Sequence, residues 1–501
     1  MRRLQLTVLV FAICCLCLPI WGQIPSVDLS QYARPILSRK SLDLSLQGKG
    51  QHSQPGLRSN NSQTRFTGLS GNMNVRYQSL SNTPKLQENT LISLGINPDI
   101  HQQSRGIRSQ VKNRRFQSHL LIRSDRLRYL SSSFFFGLTT QLDYRSDVTH
   151  ISSRKVSLIN ELEEVDNQLA QHRLKLDMQL TVGHGRIEQV EDAQHALFIL
   201  HALERRGYVT RELTEGDVLG FAARISQLKN RRYFDFRLQK IWELEQIHTF
   251  LREQDMVDQE EAAVGLYAIV QDMWNYGFLA PRLAGRRASI GIDPNIRMSN
   301  QTYADFDRYQ SASHDTSIQV EGGLRSIEFA PALYVSYVSE QPWKQSWQRS
   351  ISLEAEYGMR YGAFRHRKTE DMQLQMYTLK EWFFPPYLQL VAHYGIGYYP
   401  TSRTYIRGFL RANLFQAIQT PNAVALPGNR WRDQTYLGSQ LSLNAYYYLS
   451  PAIRLEISYL ASVRGTANLA TFSPNRNFIT AIGRNARIQQ QTSVGLQIAW
   501  F

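Results

Sequence analysis

Thr492-Ser493-Val494-Gly495-Leu496-Gln497-Ile498-Ala499-Trp500-Phe501 closes the chain. Val494, Leu496, Ile498 and Trp500 alternate there with small or polar residues. Side chains of a strand point to opposite faces in turn, so this run makes a strand with one greasy face and one wet face. The terminal Phe501 falls one residue out of phase with the large apolar set.

The same period of two recurs upstream. Leu174, Leu176, Met178, Leu180 and Val182 alternate with Lys175, Asp177, Gln179 and Thr181. Ile351, Leu353, Tyr357, Met359 and Tyr361 alternate with Ser352, Glu354, Glu356, Gly358 and Arg360. Comparable runs occupy Leu437 to Leu449 and Ile453 to Ala461, and others start near Phe66, Phe116, Phe134, Ala288, Ile318, Leu333, Met372, Leu388 and Ile406. Many reach the roughly 9–11 residues that a tilted strand needs to cross a bilayer. A soluble sandwich also alternates, but its strands are usually about 5–6 residues long.

At the other end, Arg2 and Arg3 precede an apolar stretch from Leu4 to Leu18, then Pro19-Ile20-Trp21-Gly22. That is the pattern of a signal peptide, expected over residues 1–22 with cleavage before Gln23. The stretch is short of the roughly 20 apolar residues of a spanning helix. Cys14, Cys15 and Cys17 are the only three cysteines, so a mature chain would have none. Disulfides, thiolate metal sites and cysteine nucleophiles are thereby excluded. The net charge of +15 would become +13 on loss of Arg2 and Arg3. An exported basic chain meets lipopolysaccharide or another acidic polymer, not nucleic acid. Mean hydropathy is −0.37, which suits a barrel whose lumen-facing half is polar.

These features together resemble bacterial outer-membrane β-barrels across residues 66 to 501. The signal ending before Gln23 and the helical insert described below are similar to barrels of the Bacteroidota, a likeness that implies no substrate and no catalytic residue. It implies an outer-membrane location and a role for Trp500 and Phe501 as a signal to the barrel-insertion machinery. The expected fold is an all-β transmembrane barrel of about 14 antiparallel strands carrying an α-helical domain. Both mature termini are expected in the periplasm. Leu42 to Leu46 and Thr90 to Gly95 could add two strands and make sixteen. Long connections are expected at 300–313, 417–433 and 465–486, and tight turns at Ser326-Ile327, Pro400-Thr401-Ser402 and Ser450-Pro451. Trp382-Phe383-Phe384-Pro385-Pro386 reads as a link of intermediate length. Tyr387, Tyr398, Tyr399, Tyr446, Tyr447, Tyr448, Trp382 and Trp500 read as interfacial belts. Residues 23–65, rich in Ser, Gln and Gly, read as a periplasmic arm or plug.

Barrel strands are expected over 66–186 and 283–501, and residues 187–282 break the pattern. There the apolar period is three to four, with Val190, Ala193, Leu197, Leu200 and Leu203 on one face and Val218, Phe221, Ala222, Ile225 and Leu228 on another. Thr214 reads as an N-cap and Gly207 as a terminator. The insert is expected in the periplasm. Lys229, Arg231, Arg232 and Arg237 offer a basic docking surface for a partner, or simply an inter-helix turn. Gly183-His184-Gly185-Arg186 reads as a hinge.

No nucleophile elbow, zinc-protease helix or phosphate-binding loop occurs. His195 and His201 are not spaced as a helical metal pair. No metal, no cofactor and no enzyme activity are expected. Glu354, Glu356, Arg360, Arg407, Arg411 and Arg454 are expected to line the lumen and pair across strands. The leading reading is a scaffold whose periplasmic helices dock an envelope or secretion partner. The alternative is a channel for a small solute, and an outer-membrane hydrolase is a minor one.

Overall fold

A ribbon that is dry on one side and wet on the other must segregate the two, and a sheet of many such ribbons does so by curling. The computed structural model describes residues 27–53, 64–105, 109–157, 161–230, 236–258, 263–276, 282–311, 314–370, 373–417, 434–450, 453–468 and 487–498. The signal peptide, Trp500 and Phe501 lie outside them. Fourteen strands pair in strict chain order, each antiparallel to the next. They are β1 Leu37–Ser53, β2 Thr64–Asn82, β3 Leu86–Arg105, β4 Ser109–Tyr129, β5 Phe134–Val156, β6 Leu162–Gln189 and β7 Leu283–Gln310. The second half comprises β8 Asp315–Lys344, β9 Trp347–Glu370, β10 Gln373–Thr401, β11 Thr404–Ala417, β12 Gln434–Ser450, β13 Ile453–Asn468 and β14 Arg487–Ile498. Between β6 and β7 stand four helices, α1 Glu191–Glu204, α2 Glu215–Lys229, α3 Phe236–Glu253 and α4 Ala263–Asn275. A fourteen-stranded antiparallel sheet with inserted helices is the expected fold class.

The strand total matches the expectation, but five assignments change, the first being the long connection expected at 300–313, which shrinks to 311–314 because β7 runs to Gln310. Residues 37–53, read as part of an arm or plug, form β1, in register with β2 from Leu37 opposite Asn82 to Ser53 opposite Phe66. Thr90 to Gly95 belongs to β3. Ser326-Ile327 is no turn, because β8 runs unbroken for 30 residues. Nor is Trp382 to Pro386 a link: it lies within β10, where register shifts between Leu379 and Trp382 and between Phe384 and Tyr387. Prolines cannot donate to a ladder, and bulges beside them absorb the loss. Two strands are gained and two hairpins merge, so fourteen survives and sixteen does not.

Large apolar side chains stand exposed along one face. On β7 and β8, Ile290 and Leu333 are each 57% exposed, and Val335 is 48% exposed. Leu353, Tyr357 and Met359 continue that face on β9, Leu390, Tyr394 and Ile396 on β10. Exposed apolar area on this scale marks a surface that a membrane or another protein covers. The opposite face carries Asp143, Arg145, Arg297, Glu328 and Arg360.

Both chain ends and the helices share one rim of the sheet. The described connections there are short, at 83–85, 130–133, 345–346 and 402–403. Apart from the helical insert, the two longest connections, 418–433 and 469–486, belong to the other rim and lie outside the described residues.

Candidate functional site

Strand parity puts Glu354, Glu356, Arg360, Arg407, Arg411 and Arg454 on the face opposite the exposed apolar side chains. Glu354, Glu356 and Arg360 alternate with the exposed Leu353, Tyr357 and Met359. The partners described for Glu354 and Glu356 are hydroxyls, not arginines. Ser352 donates to Glu354 at 3.4 Å, and the Tyr387 hydroxyl donates to Glu356. Arg360 lies 3.9 Å from Glu328 and over the Tyr387 ring at 5.1 Å. Glu328 also faces Arg297 at 3.8 Å. Arg407 stacks on Phe409 at 3.7 Å, and Arg411 sits opposite Gln440 and His393 in the two flanking ladders. Arg454 pairs with Glu456 at 3.1 Å. A cluster not foreseen joins β4 to β5, where Arg115 donates to Asp147 at 3.0 Å and Gln117 donates to the same carboxylate at 2.9 Å. Nearby, Arg145 and His119 share Asp143. Pairing of β4 with β5 was legible in the hairpin, but not its register, and only register brings 115 beside 147.

At the rim the paired strands β6 and β7 kink together. Gly185 has φ +102° and Gly285 has φ +123°. A Cβ on Gly185 would come within 2.1 Å of the Arg286 carbonyl, and one on Gly285 within 2.1 Å of the Arg186 carbonyl. Only glycine permits both the dihedral and the approach. The expected hinge is therefore a strand kink shared by two glycines on facing strands. Beyond it β6 crosses to the β2–β3 turn. Arg186 donates to Asn82 Oδ1 at 2.9 Å and to the carbonyls of Thr83 and Pro84 at 3.0 Å. Asn82 returns a bond to Glu188 at 3.0 Å. Strands β4 and β5 separate these partners in the sheet, so the contact spans the concave side.

The helices reach the other way. Phe198 of α1 packs with Tyr399 and Tyr405, and Tyr446 packs against them. The Tyr399–Tyr405 and Tyr405–Tyr446 ring centroids are 4.9 and 5.1 Å apart. Parity puts all three tyrosines on the polar face, since Ile396 and Tyr447 are the exposed members of their strands. The expected aromatic belt thus divides: Tyr398 and Tyr447 belong to the apolar face, while Tyr387, Tyr399, Tyr446 and Tyr448 face inward. Arg403, in the β10–β11 turn, donates to both oxygens of Asp272 on α4 at 2.8 Å and stacks on Tyr276 at 4.4 Å. Tyr276 in turn meets Tyr448 edge-on at 5.7 Å. Between them, the end of β6 and the helices span the rim from the β2–β3 turn to β12.

Inside that domain, helix signals act as read. Thr214 accepts from Asp217 N at 3.3 Å while Asp217 accepts from Thr214 N at 2.8 Å, a capping box. Gly207, at φ +76°, ends α1. The core takes Val27, Leu29 and Tyr32 from the segment ahead of β1 together with side chains of all four helices. Tyr32 shares a 2.8 Å hydrogen bond with Ser226. Lys229 does not offer a docking charge, because it turns inward to Asp192 at 2.8 Å. Asp192 also lies 3.5 Å from Arg34 and accepts from Ser226. Burial pushes the Asp192 carboxyl up, but Lys229, Ser226 and Arg34 outweigh it and hold it below its usual range. Arg231 and Arg232 lie outside the described residues, and of Arg237 only its place in the first turn of α3 is described.

Two histidines of α1 give this domain a pH dependence. His195 is fully buried, stacks on Trp274 at 5.3 Å and bonds the Met273 carbonyl at 3.2 Å. Burial, reinforced by Lys229, brings its imidazole down to about 3. Burial and Arg205 bring His201 to about 4. Both folded values lie below the unfolded value of about 6.5. The unfolded chain therefore binds more protons in that window, and stability falls as pH drops through it. Glu191, raised by burial, acts in the opposite sense. Between about pH 6.5 and pH 5 each histidine should remove about 2 kcal/mol. Melting of the helical signal by circular dichroism at both pH values checks this, and identical melts would refute it.

No protein-family model matches the chain, and no curated protein matches it. Among solved structures, the CymD monoaromatic hydrocarbon channel is similar at a TM-score of 0.30 and 9% identity, over 94% of this chain and 90% of that one. The copper transporter OprC is similar at a TM-score of 0.19 and 9% identity, over 94% and 81%. Such distant likenesses say nothing about what this chain carries.

Proposed function

We propose that the chain is an integral outer-membrane transport barrel, closed by meeting of β1 and β14, whose helical domain sits in the periplasm and stoppers the lumen at that end. The observation that carries this reading is Phe198 seated among tyrosines of the polar face, with Arg403 latched to Asp272. A domain built only to bind a partner would have no reason to fill its own barrel's mouth. The scaffold reading also loses Lys229, the described charge of its docking surface. The apolar outer face supports the membrane location, and the mixed Arg, Asp and Glu lining suits a small polar solute.

The membrane reading predicts an asymmetry between faces. Leu333→Arg should cost about 2–4 kcal/mol if Leu333 lies near the bilayer midplane. The same change at Ser336, whose hydroxyl meets Ser289 at 2.7 Å on the polar face, should cost much less. The yield of heat-modifiable protein on gels reads this out, and equal losses would refute the assignment of faces. Transport itself is tested by single-channel recording. Wild type should conduct rarely and the latch variant Arg403→Glu several-fold more. Silence from both would overturn the reading.

A further inference from the structure

On the outer side of the same rim, the overhanging N-terminal segment and the sheet enclose a cavity of about 560 Å³. Its sheet wall is Pro342, Trp343, Trp347 and Tyr398, and its roof is Val27, Asp28 and Leu29. Trp343 is 65% exposed and sits at the register shift that ends β8, between Pro342 opposite Gln348 and Lys344 opposite Trp347. Trp347 shares the parity of Leu353, and Tyr398 that of Ile396. The wall is thus a direct continuation of the apolar outer face, and the Trp347 and Tyr398 rings pack 4.4 Å apart. Indole and phenol rings at such a level sit among lipid headgroups. The cavity has the size of a small-molecule site.

Its two charged lining residues are of opposite sign. Lys344 is exposed at the hairpin tip. Asp28 caps the 3-10 turn Leu29–Gln31, accepting from Ser30 N at 2.9 Å. These bonds hold its carboxyl below the usual range, so it is ionised. A free anion would gain at Lys344 and lose at Asp28. A zwitterion with an acyl tail satisfies both charges and the aromatic wall.

We propose that this cavity binds one zwitterionic glycerophospholipid of the adjoining leaflet, its phosphate on Lys344, its ammonium towards Asp28 and its tail against Trp343 and Trp347. The proposal rests on the membrane reading given above. Because the roof belongs to the segment that packs on the helical domain, the bound lipid would tie that domain to the bilayer.

The test is native mass spectrometry of the full chain purified in mild detergent, with phosphatidylethanolamine and phosphatidylglycerol added in equal amounts. Wild type should retain one ethanolamine lipid in preference to the glycerol lipid. Lys344→Glu should lower that retention about tenfold, the loss of one charge-assisted contact. Asp28→Asn keeps a capping oxygen and should abolish the preference between headgroups while leaving total retention. Equal retention by Lys344→Glu, or a glycerol preference in wild type, overturns the site. Heat-modifiable mobility is measured on the same samples. Its presence without lipid retention sinks only this proposal, whereas its absence sinks the membrane reading beneath it.

Discussion

Asp192→Ala should cost the helical domain about 3–5 kcal/mol, the usual penalty for removing one partner of a buried ion pair. Asp192 is almost completely buried. It is the carboxylate that Arg34 and Lys229 share, and Ser226 donates to it as well. Arg34 keeps Glu191 at 3.7 Å, but burial disfavours the charged form of that carboxyl. The loss should be local. Limited proteolysis of the full chain in detergent should cut within 191–275 and ahead of β1 at rates well above wild type, while the strands stay protected. Asp192→Asn should recover part of the loss, because its amide oxygen can still accept from Ser226. If Asp192→Ala resists protease like wild type, the network is peripheral.

The second large effect is expected from removing the domain outright. Gln189 of β6 stands opposite Leu283 of β7, so the helices occupy the place of a hairpin turn. Joining Gln189 to Arg282 through Asn-Gly gives a three-residue loop of a common hairpin length. Arg282 should stay, because it is fully buried and donates to the carbonyls of Lys344, Gln345 and Trp347. The shortened chain should still insert and run as a heat-modifiable band. Its conductance should exceed that of Arg403→Glu, since the latch variant leaves Phe198 in its tyrosine cage. Insertion with wild-type conductance would show that the stopper lies elsewhere. Failure to insert would make the helices part of the sheet's own stability.

How much of this was readable from residues depends on what each residue reports. The alternation of Leu174 to Val182 or Ile351 to Tyr361 is a statement about local environment, and it located strands well. Strand ends were harder. β7 and β8 continue as paired polar ribbons to Gln310 and from Asp315, where no apolar edge marks where the bilayer stops. Ser326-Ile327 reads as a turn because the polarity changes there. Pro385-Pro386 is a strong local breaker, but two register shifts let β10 pass it. Leu42-Asp43-Leu44-Ser45-Leu46 carried the right pattern for β1 in a stretch whose composition suggested an arm.

The site was less legible. Glu354, Glu356, Arg360, Arg407, Arg411 and Arg454 take their face from parity, which sequence gives, but their partners from register, which it does not. Tyr399 and Tyr446 looked like belt residues because tyrosine is at home both at an interface and in a cage. Phe198 lies beside, not on, the apolar face read for its helix from Val190 to Leu203, and only the tertiary fold shows what it meets. Lys229 looked available because its carboxylate is 37 positions away on another helix.

The hydrogen bond between Tyr32 and Ser226 joins residues 194 apart. As the chain is made, the segment Val27–Arg34 emerges long before α1 and α2, which hold it. Closing so large a loop is slow compared with pairing neighbouring strands. The first hairpins can therefore form while their leading strand is still untethered. β1 is fastened from below only after β6 has been made and the helices have folded. The order in which the chain is made thus leaves one margin of the sheet free until six of its fourteen strands have been made, and the helical domain sets the moment at which that freedom ends.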